Sequence, residues 1–321
     1  MSLEKILGIL ADGQFHSGEE LSQVLEVSRT SVWKHIAKLD ALGLQVNAVR
    51  GKGYRLRDRL DLLALPAIYE HLDESAFETF SQIELHLTTA STNRLALDAS
   101  KSPYVCLAEM QTAGRGRRGR EWVSPFAKNI YLSVAWRFGA TTASLDSLSL
   151  CVAISIARAL EALGCRDLGV KWPNDLLYKN KKLAGILLEA SGELGGAIRV
   201  VIGVGINVTM TEEQGALIDQ AWISLRDLLP TDTSRSVIVA ELLNKLAQAL
   251  PAFEQYGFAA FDEDWRRFDC LVDKPVELSV GNKKIAGMAR GVDSTGGLLI
   301  EQDDQLKAYR GGEVSVRAKA K

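Results

Sequence analysis

Between Gly114 and Arg120 the chain reads GRGRRGR, so that Arg115, Arg117, Arg118 and Arg120 alternate with Gly114, Gly116 and Gly119. Guanidinium groups this dense do not enter an apolar core without counter-charge, and the stretch has no apolar period to hold a helix. Its chemistry is anion binding. Glycine frees backbone amides to cradle an oxyanion, while arginine supplies charge and forked donors. The wider segment EMQTAGRGRRGREWVSPF starts at the end of an expected strand, at Met110, and adds Trp122 as a stacking surface. Composition alone leaves open a nucleic-acid-binding RG segment or an unstructured surface loop. The former fits poorly, because this is a single insertion between strands rather than a terminal repeat.

Three further stretches place polar groups at strand ends. In KWPNDLLY, Lys171 and Trp172 precede a proline turn that presents Asn174 and Asp175. In KKLAG, Lys182 begins an apolar strand, where a solvated strand end is the plain alternative. In IGVGINV, Gly203, Gly205 and Asn207 share one face of a strand and Val204, Ile206 and Val208 the other. Glycine inside a strand costs stability and marks close approach of a ligand or another backbone; a β-bulge explains it as well.

These groups need elements to position them, and the chain divides into three expected domains. Residues 1–62 read as a winged helix-turn-helix. Leu3, Ile6, Leu7 and Leu10 keep helical spacing and Asp12-Gly13 stops the helix. Ser17 and Glu20 form a capping box for a second helix, and Ser28 caps a third with Val32, Ile36 and Leu39 buried. VRGKGYRL follows as a hairpin wing. From Ser28 to Arg57 there are Arg29, Lys34, Lys38, Arg50, Lys52, Arg55 and Arg57 against Asp40 alone, a surplus suited to neutralising phosphates. Ser28, Arg29, Thr30, Lys34, Arg50 and Lys52 are the expected DNA contacts; a merely solvated basic face is the alternative.

Residues 63–270 mix strands with a nearly all-apolar helix, SLSLCVAISIARALEALG, expected to be capped near Ser147 and stopped by Gly164. The fold class is α+β, with a mixed sheet as the working surface. An amphipathic helix, SVIVAELLNKLAQAL, closes that domain. Residues 271–321 change to short strands broken by GN, STGG, DDQ and GG, which reads as a small β-barrel.

Composition narrows the function. The net charge of −2 excludes a chain that is basic throughout, so any nucleic-acid role is local. Cys106, Cys151, Cys165 and Cys270 form no CxxC pair, and four histidines offer no metal-ligand spacing; neither a disulfide framework nor a protein-ligated metal is expected. MSLEKILGIL carries charge every few residues and is not a signal peptide, and no run of about 18 apolar residues spans a bilayer. A cytoplasmic protein is expected.

The set STN (Ser91, Thr92, Asn93), QTAGRGRRGR–W (Gln111 to Trp122), KWPND (Lys171 to Asp175), KLAGIL (Lys182 to Leu187) and GVGINV (Gly203 to Val208), in this order, closely resembles the biotin protein ligases. With the winged head, the whole chain resembles those members that also repress the biotin operon. The resemblance implies a central domain of the biotin/lipoate ligase type and an SH3-like C-terminal barrel. It implies ATP-dependent formation of biotinyl-5′-AMP and transfer of biotin to a lysine of the biotin carboxyl carrier protein of acetyl-CoA carboxylase, with Mg²⁺ offsetting triphosphate charge. Ser91, Thr92, Asn93, Gln111, Gly114, Arg115, Gly116, Lys182, Gly185 and Gly203 are then expected at biotin. Arg117, Arg118, Arg120, Trp122, Asn174, Asn207, Trp222 and Arg317 are expected at the nucleotide, and Lys182, Arg115, Asp175 and Lys171 in catalysis.

Biotinyl-5′-AMP as corepressor, operator DNA and an adenylate-dependent homodimer follow from the same resemblance. The loop at 211–220 is expected to cover the adenylate, and its acidic start departs from what a phosphate neighbour calls for. Glu313 and Arg317 serve ATP or the acceptor protein, or are ordinary surface charge. Two rival functions share these features: a ligand-sensing regulator without catalysis, and a lipoate-type ligase. Lys182 and the arginine loop argue against the first, the winged head and GRGRRGR against the second.

Overall fold

Three short helices open the chain: α1 (Ser2–Leu10), α2 (Gly18–Leu25) and α3 (Arg29–Asp40). Ser17 accepts from the Glu20 amide while Glu20 reaches back to the Ser17 amide, so the capping box closes as its residue types require. Leu21, Leu25, Val32, Ile36 and Leu39 are buried together. The wing is β1 (Val46–Val49) paired antiparallel with β2 (Gly53–Leu56). It is tied to the start of α2 by two backbone bonds between His16 and Tyr54, each 2.9 Å. A Cβ on Gly53 would stand 2.0 Å from the His16 carbonyl oxygen, so only glycine lets the wing approach this closely.

The computed structural model describes residues 2–139, 145–191, 197–280, 283–311 and 314–318. After the head come α4 (Leu65–Glu70), α5 (Glu74–Thr79), β3 (Ile83–His86), α6 (Thr92–Asp98), β4 (Tyr104–Ala108) and β5 (Asn129–Phe138). Next are α7 (Leu148–Ala162), β6 (Leu168–Lys171), β7 (Asp175–Tyr178), β8 (Lys181–Ser191) and β9 (Ile198–Asn207). The seven strands form one sheet in the order β3-β4-β5-β9-β8-β7-β6, antiparallel except for β3 beside β4. The apolar reading of α7 holds: its residues pack into the main core with α8 (Arg235–Tyr256). Ser147 occupies its N-cap position but makes no side-chain cap bond, and Gly164 follows the helix at φ +101°.

The sheet has two different faces. Ile130, Leu132, Val134, Val200, Ile202, Val204 and Ile206 turn into the core with α7 and α8. The alternate residues Ala135 and Val201 pack instead with Cys106 and with Ala96 of α6. Strand alternation thus gives β9 one dry side and one side shared by α6 and a cleft. The turn between β6 and β7 is where sequence periodicity falls short: Asp175–Tyr178 is a strand in its own right, too brief to show a period.

After α9 (Asp262–Phe268) the C-terminal segment comprises β10 (Pro275–Val280), β11 (Lys283–Val292), β12 (Leu298–Gln302), β13 (Gln305–Tyr309) and β14 (Val314–Ala318). They form an antiparallel sheet in the order β13-β12-β11-β10-β14. The strands expected for the SH3-like barrel are present as one antiparallel sheet, with no closed barrel found among the described residues. Among the described residues β13 and β14 share no ladder, and these short strands, with an irregularity at Ala289/Val292, leave both edges unjoined. Val276, Leu278, Ala289, Leu298 and Ile300 continue the main core. Among the described residues no helix is long and apolar enough to cross a membrane.

Candidate functional site

Gly203, Gly205 and Asn207 of β9 line a cleft of about 1110 Å³. Alternate strand residues lie about 6.6 Å apart, so the three form successive steps along its floor. Each step carries different chemistry. A Cβ on Gly203 would stand 2.2 Å from Asn93 Oδ1, so that glycine makes room for Asn93. A Cβ on Gly205 would meet the Trp122 ring at 2.5 Å; one on Gly185, the register partner of Gly205, would meet it at 3.0 Å. Trp122 therefore lies on a side-chain-free patch spanning β8 and β9. At the third step Asn207 Nδ2 donates to the carbonyls of Lys182 (3.5 Å) and Ile223 (3.3 Å).

The Gly203 end is polar but charge-balanced. Ser91, Thr92 and Asn93, at the start of α6, are buried. The Thr92 amide and hydroxyl both donate to Gln111 Oε1, at 2.9 and 3.1 Å, and Gln111 Nε2 donates to Ser124 at 3.3 Å. Ser133 Oγ donates to Asn93 Oδ1 at 2.6 Å and lies 2.8 Å from Thr92 Oγ1. Asn93 Nδ2 donates to Glu189 Oε2 at 2.8 Å, and Arg115 meets the other oxygen of that carboxylate at 3.4 Å. A neutral ligand rich in donors and acceptors suits such a pocket.

The Asn207 end is cationic. Lys182 Nζ lies 2.9 Å from Asp175 Oδ1, both largely shielded from water, and 5.3 Å from the Trp122 ring centroid. Strand pairing brings them close: across β7 and β8 Lys182 pairs with Leu177, two residues along β7 from Asp175, and Asp175 itself pairs with Lys171 of β6 and Gly185 of β8. Arg117 donates to Asn174 Oδ1 at 3.0 Å and to the Gly311 carbonyl, so the arginine strap reaches the C-terminal sheet. Burial lowers the Arg117 pKa, while the Asp175 charge acts against that shift. Arg118 and Arg120 also border the cleft. Arg118 takes φ 59° and Gly119 φ 72°, and the Gly116 amide donates to the Arg120 carbonyl at 2.7 Å, folding the strap into a tight turn.

Most of the expected site residues border this one cleft, and a few stand elsewhere. Gly114 does not line it: a Cβ there would strike Ser124 Oγ and the Trp122 carbonyl, each at 2.7 Å, so its smallness serves packing within the strap. Asn174 and Asn207 line the cleft while bonding to protein, Asn174 Nδ2 to the Ile186 carbonyl at 2.8 Å. Trp222 pairs in a short bridge with Lys182 and stands where a Cβ on Gly215 would be, so the 211–220 segment folds against the tryptophan that follows it. Leu217 in that segment is 92% exposed at the cleft edge. The backbone of Arg317 pairs with Glu277, but its side chain and Glu313 lie outside the described residues.

Gly205, singled out in the sequence for its alternation with Gly203 but given no ligand there, forms the seat of Trp122. Sequence reasoning passed over Ser133, Ser124 and Glu189, which carry no local signal because their roles depend on which strands become neighbours. Among the described residues no three His, Cys, Asp or Glu side chains are grouped to hold a metal ion.

In the head, Ser28 Oγ accepts from the Ser31 amide at 3.2 Å, the capping bond that starts α3. Arg29 pairs with Glu19 at 2.7 Å. Thr30, Lys34, Arg50 and Lys52 are exposed on α3 and the wing. Lys52 and Arg55 stand over the Phe15 ring, at 5.9 and 4.8 Å from its centroid.

Comparison with known proteins matches each part of the chain to a family. Residues 2–55 match the family described as HTH domain, residues 83–207 the Biotin/lipoate A/B protein ligase family, and residues 272–317 the Biotin protein ligase C terminal domain. The chain is 42% identical over 316 residues to the bifunctional ligase/repressor BirA of Salmonella typhimurium, covering 98% of this chain and 97% of that one. It is 42% identical over 320 residues to BirA of Escherichia coli, covering 99% and 98%. Among solved structures, the biotin protein ligase of Aquifex aeolicus in complex with biotin and ATP superposes with a TM-score of 0.65 at 28% identity, covering 75% of this chain and 100% of that one.

Proposed function

We propose, from the premise that this chain belongs to the family of bifunctional biotin protein ligase/repressors, that it joins biotin to ATP as biotinyl-5′-AMP and then to a lysine of the biotin carboxyl carrier protein. In its adenylate-bound state it represses biotin synthesis genes through the winged head. The observation that carries this reading is the order of groups along β9: a charge-balanced pocket under Asn93, then Trp122, then Lys182 with Asp175.

In the first step a carboxylate oxygen of biotin attacks the α-phosphorus of ATP, and diphosphate leaves. Two anions must meet, so the protein's main contribution is to align them and offset their charge. Ser91, Thr92 and Gln111 suit the uncharged ureido ring. Arg115 at the pocket edge and Lys182 at the next step suit the carboxylate, and Arg117, Arg118, Arg120 and Lys171 the phosphates. Trp122 offers its ring to the adenylate, with its indole N–H buried and without a hydrogen-bond partner among the described residues. In the second step the carrier lysine attacks the acyl carbon, the anhydride bond breaks and AMP leaves. Lys182 stabilises the developing oxyanion, and Asp175 accepts the proton shed by the incoming amine. Mg²⁺ carried on the triphosphate would offset its charge.

The adenylate also serves as corepressor. By bridging strap and sheet it completes a surface on which two copies pair, placing two heads on paired half-sites. Incubation with labelled biotin, ATP and carrier protein tests the catalytic part. Label on a carrier lysine, dependent on ATP, is expected. Lipoate transfer instead would assign the sister activity, and ligand-dependent DNA binding without transfer would leave only a sensor.

A further inference from the structure

Along α3 the buried residues Val32, Ile36 and Leu39 fix which side turns outward. The opposite stripe holds Thr30, Trp33, Lys34 and Ala37, spaced to lie on one exposed face. Trp33 is 60% exposed there. A lone exposed apolar residue is unremarkable in general; this one is the bulkiest side chain on the face that the flanking cations present to DNA. Lys34 and Lys38 on α3, and Arg50 and Lys52 on the wing, supply charge suited to phosphates, which positions a duplex without reading it. Arg29, the other long donor at the start of the helix, is engaged by Glu19 at 2.7 Å. Thr30 is short, and Ala37 has only a methyl. The wing beside α3 is fixed in place, with its backbone bonded to His16 and its cations over Phe15.

We infer that Trp33 is a sequence-reading residue of the head, its indole packing against the 5-methyl group of thymine on the major-groove floor. The inference rests on the operator-binding reading above and adds the chemistry by which bases are told apart. An apolar side chain in the major groove discriminates thymine through this methyl group, which no other base carries. The indole has few rotatable bonds, so it holds its contact without the ordering cost of a lysine.

The test selects bound duplexes from a random-sequence pool with the full-length protein, biotin and ATP, for the wild type, Trp33→Phe and Trp33→Ala. The wild type and Trp33→Phe are expected to recover sites with a fixed thymine in each half, and Trp33→Ala to lose that preference at an unchanged melting temperature. Replacing that thymine by deoxyuridine is expected to weaken wild-type binding about tenfold, the scale of one lost base contact, and Trp33→Ala binding hardly at all. Equal deoxyuridine sensitivity in the wild type and Trp33→Ala, or identical selected sites, would overturn the inference. A Trp33→Ala protein that reads DNA normally but no longer pairs would assign the side chain to contact between copies instead. Recovery of no sequence by the wild type would remove the operator reading itself, and the inference with it.

Discussion

Glu109 and Arg235 form an ion pair of 2.7 Å with side chains 2% and 0% exposed, at the joint between head, strap and sheet. The second Glu109 oxygen accepts from the Leu63 amide at 2.6 Å. Arg235 also donates to the carbonyls of Asp61 and Asn129, at 2.8 and 2.9 Å, and its amide donates to the Asp61 carboxylate at 2.7 Å. One guanidinium therefore ties the linker from the head to the strand that follows the strap, and Glu109 ties it to the strand that precedes it. Phe126 and Ala127, just past the strap, pack in the core of the head.

Removing one partner leaves a buried charge uncompensated, so Arg235→Met is expected to destabilise the protein by about 3–5 kcal/mol. The double variant Arg235→Met, Glu109→Gln removes both charges and keeps an oxygen for the Leu63 amide. Chemical denaturation should place the double variant well above the single one. Equal stability of the two would show that charge compensation is not what the pair supplies.

The glycine patch under Trp122 gives a second expectation. Gly205→Ala puts a methyl 2.5 Å from the ring carbons and forces the indole off the sheet. A misplacement on this scale lowers adenylation about 10²-fold, measured as biotin-dependent exchange of diphosphate into ATP. Retention of normal exchange would mean that the ring does not need its seat.

The fold was legible in the sequence wherever one element carried its own signal. Ser17 with Glu20, Ser28, the apolar α7 and the alternation of β9 each announce themselves within a dozen residues. The cleft was legible as a set of motifs but not as a map. Nothing local shows that Gly203 makes room for Asn93, that Glu189 links Asn93 to Arg115, or that Arg235 will neutralise Glu109 from a distant helix. Those relations arise from strand order and long-range packing. The C-terminal strands were legible from their turns, but turn spacing sets the number of strands and not whether the edges meet.

His16 gives the head a pH dependence. Burial opposes protonation, yet its hydrogen bonds to Glu20 (2.9 Å) and Asp12 (3.1 Å) raise its pKa above the ordinary 6.5. A group whose folded pKa is raised stabilises fully below its unfolded value, and that contribution fades as pH rises through the folded value. Asp12 and Glu20, both lowered, act oppositely and lose their contribution as pH falls below their usual 3.8 and 4.5. Melting temperature is thus expected to fall from pH 6 toward pH 8, and His16→Gln to flatten that slope. A His16 ring titrating below 6.5 by NMR would refute this.

The strap should respond to its ligand. Its glycines and like charges resist ordering, so a bound anion is expected to hold it more firmly than its contacts to Glu189 and Asn174 do alone. Biotin with ATP is expected to slow trypsin cleavage at Arg115, Arg117, Arg118 and Arg120 at least tenfold, with little effect elsewhere. Cleavage at the same rate with and without both compounds would separate the strap from adenylate binding.

A single cleft is expected to make the acyl-adenylate and hand it on through Lys182. The most direct test is a single turnover: biotin and ATP labelled at the α-phosphorus are bound, the protein-held adenylate is isolated, and carrier protein is then added. The wild type is expected to hold one labelled biotinyl-5′-AMP and, on contact with carrier, to release labelled AMP as the carrier lysine is biotinylated, with Lys182→Ala failing in both steps. Biotinylation of the carrier with no adenylate along the way, or a Lys182→Ala protein that runs both steps at the wild-type rate, would contradict it.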